Sequence, residues 1–85
     1  MPYTVKLKRS AEKELDNLPK KIHDKVINIL ISLKENPFPH NFNKLRGREG
    51  YRIRVGDYRI LYLIDESAKN IEVVSVAHRK EVYRY

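Results

Sequence analysis

The sequence contains no cysteine. That excludes disulfides and thiolate metal sites and suits a reducing compartment, so a cytoplasmic location is expected. Long apolar runs are missing as well. The longest near-apolar stretch, Val26 to Leu33, is broken by Asn28 and Ser32 and is too short to span a bilayer. No charged, apolar, then small cleavage pattern opens the chain, so no signal peptide and no membrane partner are expected. Several familiar catalytic layouts are also absent: G-x-x-x-x-G-K-S/T, G-x-G-x-x-G and H-E-x-x-H do not occur. His23, His40 and His78 lack metal-ligand spacing, and no sequence partner suggests itself for Ser10, Ser32, Ser67 or Ser75. No metal and no cofactor is therefore expected.

What is present is charge of one sign. Lys and Arg number 18 against 11 Asp and Glu, a formal +7. Such a balance favours a polyanionic partner, nucleic acid or an acidic protein, although solubility alone is the plainer alternative. With 85 residues, the chain is expected to form a single domain, 1–85, with one modest core.

The stretch that organises the chain is Tyr51 to Ile64, Y-R-I-R-V-G-D-Y-R-I-L-Y-L-I. Gly56-Asp57 between two alternating runs predicts a hairpin with a two-residue turn. In that register Arg54 faces Arg59, Ile53 faces Ile60 and Tyr51 faces Tyr62. Alternation puts Tyr51, Ile53, Val55, Tyr58, Ile60 and Tyr62 on one face and Arg52, Arg54 and Arg59 on the other. Like charges directly opposite one another destabilise a sheet. Setting Arg54 against Arg59 therefore points to an anion held there. The bland alternative is a solvated face partly neutralised by Asp57, Asp65 or Glu72.

Around the hairpin, Tyr3 to Lys8 alternates as a first strand. Ser10 is the expected N-cap of a short helix carrying Ala11, Leu15 and Leu18. A second helix is predicted over about Lys20 to Glu35, with Ile22, Val26, Ile29, Leu30 and Leu33 as its core stripe and Asn36-Pro37 as its stop. Pro37 to Gly50 is turn-rich, with Phe38, Phe42 and Leu45 as anchors and a short edge strand expected at Asn43 to Arg46. Ile71 to Ala77 is apolar on both faces, with Ile71, Val73 and Ala77 on one and Val74 and Val76 on the other, as an interior strand would be. The order β-α-α-β-β-β belongs to the α+β class.

An arginine face with tyrosines and few histidines suits cleavage of RNA by its own 2′-hydroxyl. That reaction needs a held phosphate and neutralised charge, but no protein nucleophile. Arginine offers fork-shaped contacts to phosphate, and tyrosine offers a ring for base stacking. Arginine moves protons poorly, so the acid and base steps have no evident owner.

The segments N-K-L-R-G at 43–47, Y-R-I-R-V-G-D-Y-R-I-L-Y at 51–62 and V-S-V-A-H-R-K-E-V-Y at 74–83 resemble the RelE family of toxin–antitoxin ribonucleases. The resemblance covers essentially the whole chain. It implies a two-layer α+β fold, with an N-terminal strand and a helical hairpin packed on a twisted antiparallel sheet of 4–5 strands. The last strand would lie between the first strand and the hairpin. It also implies ribosome-dependent cleavage of mRNA in the decoding site, restrained by a cognate antitoxin.

Residue by residue, the resemblance implies that Arg59 grips the scissile phosphate, that Arg79 stabilises charge or protonates the leaving oxygen, and that Tyr83 stacks on the mRNA base. It places Arg46 in the same cleft, where Lys44 and Arg48 add positive charge. Tyr83 could instead cover Leu61 and Leu63. Arg52 and Arg54 stand where well-studied members carry lysines, one of them proposed as general base. His78 is the substitute acid or base by chemistry, since imidazole is the side chain best suited to exchanging protons near neutral pH. The alternatives from other classes are a ParE-like toxin that inhibits gyrase without nuclease action, a relic that only binds antitoxin, and a plain RNA-binding domain.

Overall fold

The structure, a computed structural model, describes residues 2–39 and 41–78. The first strand is β1 (Thr4–Leu7), and only Lys8 separates it from α1 (Arg9–Asp16). The expected cap at Ser10 is not used. Lys8 is the N-cap, because its backbone N–H donates to the Val73 carbonyl at 2.9 Å and ends the strand there, leaving Ser10 inside the helix. Pro19 caps α2 (Lys20–Leu33); its missing N–H costs nothing at that position, and its carbonyl accepts the His23 N–H at 2.8 Å. The helix closes two residues earlier than expected, at Leu33 rather than Glu35.

Four strands follow: β2 (Phe42–Lys44), β3 (Tyr51–Val55), β4 (Tyr58–Asp65) and β5 (Asn70–His78). Together with β1 they form one five-stranded sheet in the order β1-β5-β4-β3-β2. The last strand is therefore interior, as expected. The sheet is mixed rather than wholly antiparallel, because β1 pairs with β5 in parallel, Val5 beside Ile71 and Leu7 beside Val73. The edge strand sits at Phe42–Lys44, one residue before its expected start.

The hairpin has the expected register, with Arg54 opposite Arg59, Ile53 opposite Ile60 and Tyr51 opposite Tyr62. Gly56 has φ +59°, whereas Asp57 does not enter the positive region, which is the pattern of a type II′ turn with glycine first. At Gly50, φ is +122°, and a Cβ would lie 3.1 Å from Leu45 Cδ1 and 3.2 Å from the Tyr62 carbonyl. Only glycine fits that approach.

Both helices cover one face of the sheet. Ala11 and Leu15 of α1 and Val26, Leu30 and Leu33 of α2 pack on Ile53, Val55, Ile60, Tyr62, Ile71, Val73 and Val76. At roughly 1.5–3 kcal/mol per fully buried large aliphatic side chain, this layer supplies most of the driving force for folding. An aromatic cluster closes its far end. Phe38, Phe42, Tyr51 and Tyr62 meet with neighbouring ring centroids 5.5–5.9 Å apart. The Tyr62 hydroxyl donates to the Pro37 carbonyl at 3.1 Å, and burial pushes its pKa up to about 12.

Strand β5 departs from simple alternation. Tyr62 faces Val73 but Leu61 faces Ser75, so Val74 is an extra residue on β5 and a β-bulge lies between the two pairs. The bulge changes the phase of the strand. Val76, expected on the face opposite Ile71 and Val73, joins them in the main core. Ala77, expected with Ile71 and Val73, lies instead with Leu61, Leu45 and Val74 on the other face.

Candidate functional site

The face not covered by the helices holds the arginines. Register places Arg52 opposite Leu61 and Asn43, and Arg59 between Arg54 on one side and Ala77 on the other. Leu61, Ala77, Leu45 and Val74 form a small apolar floor beneath them. Arg54 is exposed and Arg52 half-buried, but Arg59 is only 5% exposed.

Its Nε and Nη1 are enclosed and have no hydrogen-bond partner. Buried polar atoms are nearly always bonded, and a buried charge without a partner is costly. The carboxylates that could have neutralised this face do not do so. Among the described residues the ion pairs are Lys20–Asp24 and His23–Asp24, both on α2, and none involves Arg52, Arg54 or Arg59. Asp65 instead accepts the Ala68 N–H at 3.1 Å. Beside a second guanidinium in direct cross-strand register, these orphaned donors make a strong local demand for an anion.

The other expected site residues are distributed unevenly. Arg46 and Arg48 are exposed in the loop between β2 and β3. That loop is pinned beside the arginine face by Leu45, whose N–H donates to the Gly50 carbonyl at 3.0 Å. Lys44 pairs with Tyr51, so it alternates toward the helical face, away from Arg52. Arg79 and Tyr83 lie outside the described residues.

His78 is on the opposite face from the arginines. It pairs with Tyr58, their rings meeting edge to face at 5.4 Å, and lines a cleft of about 340 Å³ with Glu14, Asn17 and Leu18 of the α1 end. The acid or base role expected of His78 does not fit this placement, because the sheet stands between its ring and Arg59. Along β5 successive side chains alternate between the faces, and it is Ala77, not His78, that stands beside Arg59.

Two features escaped the sequence reading: the burial of Arg59 and the β5 bulge. The first has no sequence signal, since arginine is rarely buried. For the second, the serine within an otherwise apolar run was a clue.

This helix-and-sheet framework has counterparts. Residues 5–83 match the family model described as the ParE toxin of the type II toxin–antitoxin system parDE. The chain belongs to the RelE/ParE superfamily of type II toxins. It is 35% identical to toxin RelE of Mycobacterium tuberculosis over 86 residues, covering 98% of this chain and 88% of that protein. Among solved structures, it resembles the toxin of the Pyrococcus horikoshii RelE–RelB complex, with a TM-score of 0.84 and 30% identity, over 95% of this chain and 99% of that one. It is also similar to the M. tuberculosis RelBE2 toxin–antitoxin complex, with a TM-score of 0.79 and 32% identity, over 93% and 100% of the two chains. Among the described residues of this toxin, no helix is long and apolar enough to cross a membrane.

Proposed function

We propose that this toxin is an endoribonuclease that cuts mRNA in the decoding site of the ribosome and is restrained by a cognate antitoxin. The observation that carries the reading is the pair of enclosed, unpartnered nitrogens of Arg59, Nε and Nη1, with Arg54 in register beside them. A phosphate diester is the anion such a fork accommodates, and RNA supplies one next to an internal nucleophile.

In the proposed reaction the 2′-hydroxyl loses its proton and its oxygen bonds to the adjacent phosphorus. The bond from phosphorus to the 5′-oxygen breaks, and that oxygen takes up a proton. The products are a 2′,3′-cyclic phosphate and a 5′-hydroxyl. Arg59 holds the phosphate in line, while Arg54 and Arg52 stabilise the charge that develops on its oxygens. Arg79 is proposed to neutralise or protonate the leaving oxygen and Tyr83 to stack on the base. Arg46 and Arg48, with Lys44 at the margin, attract the backbone.

No histidine among the described residues shares the arginine face, and a ribosomal group is proposed to take the 2′-proton. This supports dependence on the ribosome. The antitoxin partner is proposed from the RelE–RelB complexes, and an acidic or helical antitoxin segment on this basic face would complement it.

The match to the ParE family supports a second reading, inhibition of gyrase without cleavage. Cleavage of mRNA on programmed ribosomes separates the two. Site-specific cutting by the wild type, lost in Arg59→Ala and Arg79→Ala, is the expected result, with Tyr83→Phe separating stacking from a role for the hydroxyl. Absence of cutting together with inhibited gyrase would overturn the nuclease reading.

A further inference from the structure

Strand β5 is tied to α1 at its bulge. Glu14 reaches from α1 to the strand at its bulge. Its Oε1 accepts the Ser75 hydroxyl at 3.2 Å and the Val76 backbone N–H at 3.2 Å. Ser75 is fully buried, so both donors would be costly to leave without an acceptor.

The bulge decides which residue stands next to Arg59. From Asp65 opposite Asn70 up to Tyr62 opposite Val73, the strands keep one register. Continued without the bulge, that register would set Val76 opposite Arg59 and Ser75 opposite Ile60. The extra residue, Val74, moves the pairing along by one, and Ala77 stands opposite Arg59 instead. A single methyl group leaves room for an enclosed guanidinium between β3 and β5, whereas a β-branched side chain in direct cross-strand contact would crowd it. Bulges re-aim side chains beside functional sites in this way.

We propose that Glu14 is a positioning residue for the anion site: by tying Ser75 and Val76 to α1 it holds the β5 bulge, which places Ala77 rather than Val76 against Arg59. The inference rests on the reading of Arg59 as the residue that grips the anion. It requires no contact between Glu14 and the anion.

The test follows the arginine side-chain Nε–Hε resonances by 1H–15N correlation, with Arg59→Lys assigning the Arg59 peak, during titration with inorganic phosphate. Glu14→Ala is expected to move the Arg59 peak and weaken phosphate binding on the order of tenfold to a hundredfold, the scale on which small misplacements act. Glu14→Gln keeps an oxygen that accepts both hydrogen bonds and should restore both readouts. Ala77→Val should reproduce the loss with Glu14 intact. A Glu14→Ala protein with a lowered Tm but an unmoved Arg59 peak and wild-type phosphate affinity would overturn the proposal, leaving the tie as scaffold alone. Failure of the wild type to bind phosphate would count against the anion reading of Arg59. The peak positions in Glu14→Ala and Ala77→Val would then still decide the positioning claim. Should Glu14→Ala not fold, Ser75→Ala removes one donor, keeps the Val76 bond, and is judged by the same peak.

Discussion

The two faces of this sheet are built from the same strands and obey opposite rules. Along β4, Ile60 and Tyr62 point to the helices, whereas Arg59 and Leu61 point away from them. On the helical face the buried hydroxyl of Tyr62 has its acceptor in Pro37, and the aliphatic side chains interlock. On the other face two enclosed nitrogens of the Arg59 guanidinium, Nε and Nη1, have none. Stability is concentrated on the first face and an unmet demand on the second. Such a division is expected where a site is organised before its ligand arrives.

The sharpest contrast should come from truncating each face in turn. Leu33→Ala, at a fully buried position on the helical side, is expected to cost about 2–5 kcal/mol in urea unfolding, because the covering helix cannot collapse into the cavity. Arg59→Met should behave in the opposite way. It replaces an unpartnered buried charge with an apolar chain of similar length, so stability should rise by about 1–3 kcal/mol while phosphate binding disappears. A fall in stability on Arg59→Met would mean that the guanidinium is satisfied in the folded protein, and the contrast between the faces would collapse.

Tyr62→Phe should cost about 1 kcal/mol at neutral pH through loss of the bond to Pro37. It should also change the alkaline limb of the stability curve. The folded-state pKa of Tyr62 is raised from 10.0 to about 12, so its protonated form is favoured by folding. Its stabilising effect is complete below the unfolded value and is lost as pH climbs from 10.0 through about 12. A stability-versus-pH scan should show that decline in the wild type and a shallower one in Tyr62→Phe.

The smallest effect is expected from Arg54→Thr, which relieves a like-charge cross-strand pair at an exposed position. A gain of about 0.2–1 kcal/mol at low salt, shrinking as salt is added, would match. A loss at every salt concentration would show that Arg54 serves the sheet rather than an anion.

Much of this was legible in the residues themselves. Gly56-Asp57 between two alternating runs set the register of β3 and β4, and with it the pairing of Arg54 with Arg59, because the hairpin turn and period-2 alternation are local properties. The stripe of Val26, Leu30 and Leu33 likewise announced the buried face of α2, since helical periodicity needs no knowledge of the partner. Ser10 misled because capping preference is weak against a strand ladder that already ends at Lys8.

Three things belonged to the tertiary structure alone. The parallel pairing of β1 with β5 joins the two ends of the chain and has no local signal. The enclosure of Arg59 depends on neighbours brought from β3 and β5. The phase of β5 after Val74 depends on a carboxylate 61 residues away in sequence from Ser75, which only folding brings to the bulge. Alternation and helical period are written in consecutive residues, whereas burial and strand phase are settled by whichever distant groups the fold sets against them. By itself the sequence determined where the arginines stand along their strands; tertiary packing decided that one of them would be buried without a partner.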